Sequence, residues 1–269
     1  MTSTRRSVPV ACCLVLLVAC GGGGTSGNAA VSKTFNYGAA QPPTTAEQAA
    51  GVSAQTAVSD TAAFGSAPDG AKAVVIFGMA NELAASALGG ALIPGRSVPG
   101  TILRQARNTA TLEECAKKNG NTVTFTNCTT TESGITVTVN GSVSANNGAV
   151  SWDVTAAVSG TESGVTVNVN LRESGSLTVT STKVSGNALL DLSGSASNGG
   201  QTVNFGVSVA ALVDLTYRSS PSSCITSGDL EVKRVWTQVP QGASGSEFTN
   251  AAVKLTWTGC NTFVVAHSQ

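Results

Sequence analysis

The feature that most constrains this chain is a strict two-residue alternation of apolar and polar side chains, sustained from about residue 121 to residue 217. Ile135, Val137, Val139 and Val143 alternate with Thr136, Thr138, Asn140 and Ser142. Val150, Trp152, Val154, Ala156 and Val158 alternate with Ser151, Asp153, Thr155 and Ser159. Val165, Val167, Val169 and Leu171 alternate with Thr166, Asn168, Asn170 and Arg172. Leu177 and Val179, then Leu190 and Leu192, continue the pattern, and the longest run goes from Val203 through Phe205 and Val209 to Tyr217. Successive side chains of a strand point to opposite faces. This period, filled with β-branched residues, therefore predicts strands with one apolar and one polar face.

Between the runs sit Asn146-Asn147-Gly148, Glu162-Ser163-Gly164, Ser174-Gly175, Ser185-Gly186-Asn187 and Asn198-Gly199-Gly200. These residues tolerate positive φ and predict tight turns. Turns this short impose antiparallel neighbours, because a parallel crossover needs a dozen or more residues. The expected product is a meander. After Cys224 the pattern resumes at 229–238, 247–258 and 262–266. The segments TESGITVTVN from Thr131 and TESGVTVNVN from Thr161 agree at eight of ten positions, 30 residues apart. Two copies are too few for a solenoid, and predict alternate strands entered by the same turn.

An apolar face this wide cannot stay in water. Residues 44–64 and 71–93 are alanine-rich, and Thr45 with Gln48 has capping-box spacing. A third short helix is expected over 101–118, ending at Asn119-Gly120. These elements are the available cover. The expected fold is α+β and mainly β: a long-stranded, curved antiparallel meander, half-barrel or barrel-like, with Ala-rich N-terminal helices on its apolar face. Residues 44–118 would be mainly helical and 121–269 the sheet, together forming one domain over 44–269.

The N-terminus has a different character. Arg5 and Arg6 precede a short apolar run from Val8 to Ala19. A membrane-spanning helix needs roughly 20 apolar residues, so residues 1–19 read as a signal peptide. Leu17-Val18-Ala19-Cys20 resembles the lipobox of bacterial lipoproteins. That resemblance covers only the targeting segment. It implies cleavage before Cys20, acylation of its sulfur and new N-terminus, and anchoring by several acyl chains at about 0.8 kcal/mol per buried CH₂. By the same analogy, Gly21 where an inner-membrane retention signal would carry Asp implies an outer-membrane, periplasmic or surface location. Residues 20–43, beginning GGGG after the cysteine, read as a flexible tether.

Without residues 1–19 the chain carries 13 basic and 15 acidic side chains, a net charge of −2. No basic surface follows, and nucleic acid is not an expected partner. Cys12 and Cys13 leave with the signal and Cys20 is lipidated, which leaves Cys115, Cys128, Cys224 and Cys260. An even remainder in an exported chain predicts disulfides. Four cysteines allow three pairings, of which Cys115–Cys128 and Cys224–Cys260 each flank a local turn. No zinc-ligand spacing is present.

Little in the sequence points to catalysis. His267 is the lone histidine, near the end of the chain, and neither GxSxG nor a phosphate-binding glycine loop occurs. Glu113 and Glu114 are helix neighbours that would not face each other, and Glu132 and Glu162 read as solubilising turn residues. Asp153, Asp191 and Asp214 fall on the polar face without calcium-site spacing. Trp152 and Trp257 keep phase with valines and are expected in the core. Trp236 follows Val235 and is the candidate for an exposed tryptophan. No metal, cofactor or enzymatic activity is expected. Aromatic residues make up 4% of the chain, too few for the two girdles of an integral outer-membrane barrel.

Two functions fit. In the first, a lipid-anchored envelope protein holds or carries an apolar ligand, such as lipid acyl chains, in its curved sheet. Its architecture would be similar to half-barrel lipid-carrier lipoproteins, a likeness of fold alone. In the second, a structural or surface-binding lipoprotein has a solid core and no ligand.

Overall fold

The alternating runs become one antiparallel sheet. A computed structural model describes residues 28–45, 47–49, 51–52, 54–55, 115–132, 134–162, 164–218, 224–245, 248–260 and 262–269. The strands are β1 (Lys117–Asn119), β2 (Thr122–Glu132), β3 (Ile135–Asn146), β4 (Ala149–Glu162) and β5 (Val165–Val179). They continue as β6 (Lys183–Asn198), β7 (Gln201–Arg218), β8 (Cys224–Gln238), β9 (Ala251–Gly259) and β10 (Thr262–His267). Their order in the sheet is their order in the chain, β1 to β10, without closure. The expected curved, mainly β meander is the fold observed.

Turn chemistry sets the register. Asn147 and Gly148 both have positive φ, at 47° and 79°, so Asn146 pairs with Ala149 across a two-residue hairpin. That is the turn whose twist matches the flanking strands. The two TESG segments close equivalent hairpins, Glu132 opposite Ile135 and Glu162 opposite Val165. They are alternate strands entered by the same turn, as the repeat implies.

Two expected turns are instead strand interior. Ser174-Gly175 lies within β5 and Ser185-Gly186-Asn187 within β6, while the chain reverses at 180–182. Close approach explains both glycines. A Cβ on Gly175 would sit 2.6 Å from Trp152 Cζ2, and one on Gly186 would sit 2.0 Å from the Ser176 carbonyl oxygen. Glycine here makes room for a ring and for the neighbouring backbone. The strand expected from residue 247 begins only at Ala251. Asn250 Oδ1 accepts the Trp236 N–H at 2.9 Å and takes the place of a ladder bond, while Phe248 packs on the Trp236 ring at 5.1 Å. Trp236 is thus buried, at 8% exposure, contrary to expectation; Trp152 and Trp257 are buried as expected.

The apolar side chains of β2 to β10 form one continuous cluster. An Ala-rich helix does lie on it: the described residues between 45 and 55 are helical, Ala54 joins the cluster, and a Cβ on Gly51 would strike the Phe263 ring. Its cap is one residue earlier than expected. The Thr44 N–H and hydroxyl donate to Glu47 Oε2 at 2.7 Å, and the Glu47 N–H returns to Thr44 Oγ1. The helix expected over 71–93 lies outside the described residues. So does most of the one expected over 101–118, but its last residues are not helical: Lys117–Asn119 form the edge strand β1. Cys115 reaches Cys128 of β2 through a disulfide, which holds this segment extended beside the sheet.

Candidate functional site

The N-terminal segment was read above as flexible up to residue 43. From residue 28 it is instead a strap built into the fold. Asn28 is buried and caps the short helix α1 (Ala29–Ser32), its Oδ1 accepting from the Ala30 and Val31 N–H groups. Its Nδ2 donates to the Leu190 and Val209 carbonyls and to Asp191 Oδ1 on the polar face of β6 and β7. Asp191 also accepts from the Ser208 hydroxyl. Ala30, with no exposed surface, packs on Ala210 and Val235. An asparagine that satisfies backbone on both sides is a fixed anchor point.

Beyond α1 the strap crosses β8 and reaches the sheet edge. Lys233 Nζ, buried, donates to the Lys33 carbonyl and lies 3.5 Å from Glu231. The Tyr37 hydroxyl donates to Glu231, and burial together with that bond pushes the phenol well above its ordinary range. Gly38 donates to the His267 carbonyl, and Gln41 exchanges both backbone bonds with Val265 at 2.8 Å. These bonds cover the β10 edge, which would otherwise offer free backbone groups to another strand. The chain then turns onto the apolar face, where the Ile225 N–H donates to Gln55 Oε1 at 2.6 Å.

His267 is tied down rather than frayed. It sits on β10 with Nε2 2.7 Å from Glu47 Oε1. Burial opposes the charge of Glu47, but the Thr44 donors and His267 outweigh it and hold the carboxyl below its ordinary range. Its surroundings are those of a clasp between helix and strand. Among the described residues no group of three or more His, Cys, Asp or Glu side chains is placed to hold a metal ion.

The residues singled out in the sequence divide as follows. Both expected disulfides, Cys115–Cys128 and Cys224–Cys260, are formed. Cys20, Glu113 and Glu114 lie outside the described residues. The polar-face aspartates have different hydrogen-bond partners: Asp153 takes a bidentate pair from Arg172 at 2.8 and 2.9 Å, Asp214 pairs with Lys183 at 2.7 Å, and Asp191 serves the strap. Sequence reasoning missed Glu173, which is buried on the apolar face of β5 between Val154 and Leu190. Its odd-numbered phase, shared with Val167 and Val169, was the available signal. A shallow groove of about 620 Å³ runs along Pro43, Thr44, Thr45, Gln48, Ala49 and Val52.

No family model matches the chain, and neither a curated protein nor a solved structure does.

Proposed function

We propose that the chain is an exported envelope lipoprotein, held to the outer membrane through acylated Cys20, and that its sheet is a packed, non-enzymatic scaffold working through its surface. The observation that carries the scaffold reading is close packing. Ile135, Val137, Val207, Val209, Ile225 and Val265, spread from β3 to β10, are each 2% exposed or less. A cavity wide enough for an acyl chain leaves its lining accessible to a water-sized sphere, and these side chains leave no such space. The working surface is then the exposed Thr, Ser and Asn rows of β4 and β5, with the half-buried row of β3 beside them.

Carriage of an apolar ligand draws on a different observation. Leu171, Ala188, Leu190 and Val213, on the apolar side of β5 to β7, are only partly buried. Solvent extraction and mass spectrometry of protein purified from membranes separate the two readings. The scaffold predicts no stoichiometric lipid beyond the anchor; a co-purified lipid at near-equimolar yield would establish carriage instead. The same spectrum tests the anchor, which requires a mature N-terminal peptide beginning at Cys20 and bearing diacylglycerol. An unmodified cysteine there would refute it.

A further inference from the structure

Resting on the lipid-anchor reading, we infer that the polar face of the sheet is the surface turned toward the phospholipid headgroups. The position of Asn28 carries the inference. Cys20 and Asn28 are eight residues apart, which bounds their separation at about 28 Å fully extended. By random-coil statistics a glycine-rich chain of that length spans about 16 Å on average. Asn28 is bound at Leu190, Asp191 and Val209, near the middle of β6 and β7. Those strands have 16 and 18 residues, so their ends lie about 23–30 Å away along the strand. An anchor leaving mid-face therefore reaches a strand end only well beyond its average span of about 16 Å. The shorter route, across β8 to β10, is overlain by α1 and by residues 37–41 at the β10 edge. Of the surfaces within reach of Cys20, the polar face around Asn28 is therefore the nearest.

The chemistry of that face suits a headgroup layer. Thr155, Asn168, Asn170 and Ser193 are exposed and offer hydroxyl and amide groups. Its principal charges are already paired, Arg172 with Asp153 and Lys183 with Asp214. A neutral face has no strong pull toward anionic lipid, so the short tether supplies proximity through effective concentration. Val31, 40% exposed on α1, with exposed Lys33 beside it, is the part best placed to touch the interface. The apolar side and its covering helix then look away from the bilayer.

Energy transfer from three single-site fluorophores to labelled headgroups tests this. The full-length acylated protein is purified from membranes and reconstituted into phosphatidylethanolamine–phosphatidylglycerol vesicles. Labels sit at Thr155→Cys on the polar face, Gln201→Cys beside a hairpin end and Gln269→Cys beside the β10 edge. The Thr155 label is expected to transfer at least about twofold more efficiently than the other two. Inserting about 20 Gly/Ser residues after Gly24 should flatten the difference, by the length dependence of tethering. Equal or stronger transfer from Gln201 or Gln269 in vesicle-bound protein would overturn the orientation alone. A ranking unchanged by the insertion would overturn the tether as its cause. Protein that fails to attach would overturn the anchor and the orientation together.

Discussion

Strands β3 and β7 follow the same alternating rule, yet they are buried differently. Along β3 the odd-numbered side chains are buried while the even-numbered ones keep contact with solvent. In β7 every residue from Phe205 to Ala211 is buried, polar Ser208 included. The difference is the strap. Where α1 lies over β7 and β8, the polar face becomes a second, small interior made of Ala30, Ala210 and Val235. The meander end is specified by local turns and cross-strand neighbours. The strapped end is specified by a segment about 180 residues away in sequence, and alternation carries no mark of it.

The comparison can be broken from either side. In the meander, Trp152→Ala should have the largest effect, about 3–5 kcal/mol as for other buried tryptophans, read from denaturant midpoints. At the strapped end, replacing both Cys224 and Cys260 with alanine opens a loop of 36 residues. That should cost about 4 kcal/mol by the chain-entropy relation, and somewhat more than loss of the 13-residue Cys115–Cys128 loop. Gly175→Ala forces a methyl group against Trp152 and the Asn187 carbonyl, which lies 2.4 Å from the Cβ position. About 1–3 kcal/mol of destabilisation is expected, with a change in tryptophan fluorescence.

The smallest effect concerns the clasp. The folded-state pKa of Glu47 is depressed below its ordinary 4.5. Its stabilisation is therefore present above that value and is lost as pH falls through the lower folded value. Helix docking should weaken as acidification protonates Glu47, and Glu47→Gln should remove most of that pH dependence while leaving the meander untouched. Proteolysis rates at residues 40–55, measured against pH, would show it.

The sheet was legible because period-two patterning and Asn-Gly turns each act over a few residues. Gly175 and Gly186 were misread as turns. In sequence, a glycine that admits a neighbouring ring or backbone looks the same as one that reverses the chain. Trp236 was misplaced because its cover, Phe248 and Asn250, comes from a loop rather than from strand phase. Residues 28–43 were misread as tether because asparagine, alanine and serine compose flexible linkers and closely packed small-residue contacts alike. Ala30 against Ala210 is such a contact. Glu173 was visible in phase and needed only to be counted.

The strap, not the meander, holds the β10 end. Native-state hydrogen exchange of Ala30→Glu tests it most directly, since a carboxylate in that site is buried without a partner and should cost about 3 kcal/mol. The account predicts about a hundredfold loss of protection at the Gly38, Gln41 and Val265 amides, which bond across the strap and β10. Val137 and Val158, paired within the meander, should be unchanged. Equal loss at both ends, or none at Val265, would contradict it.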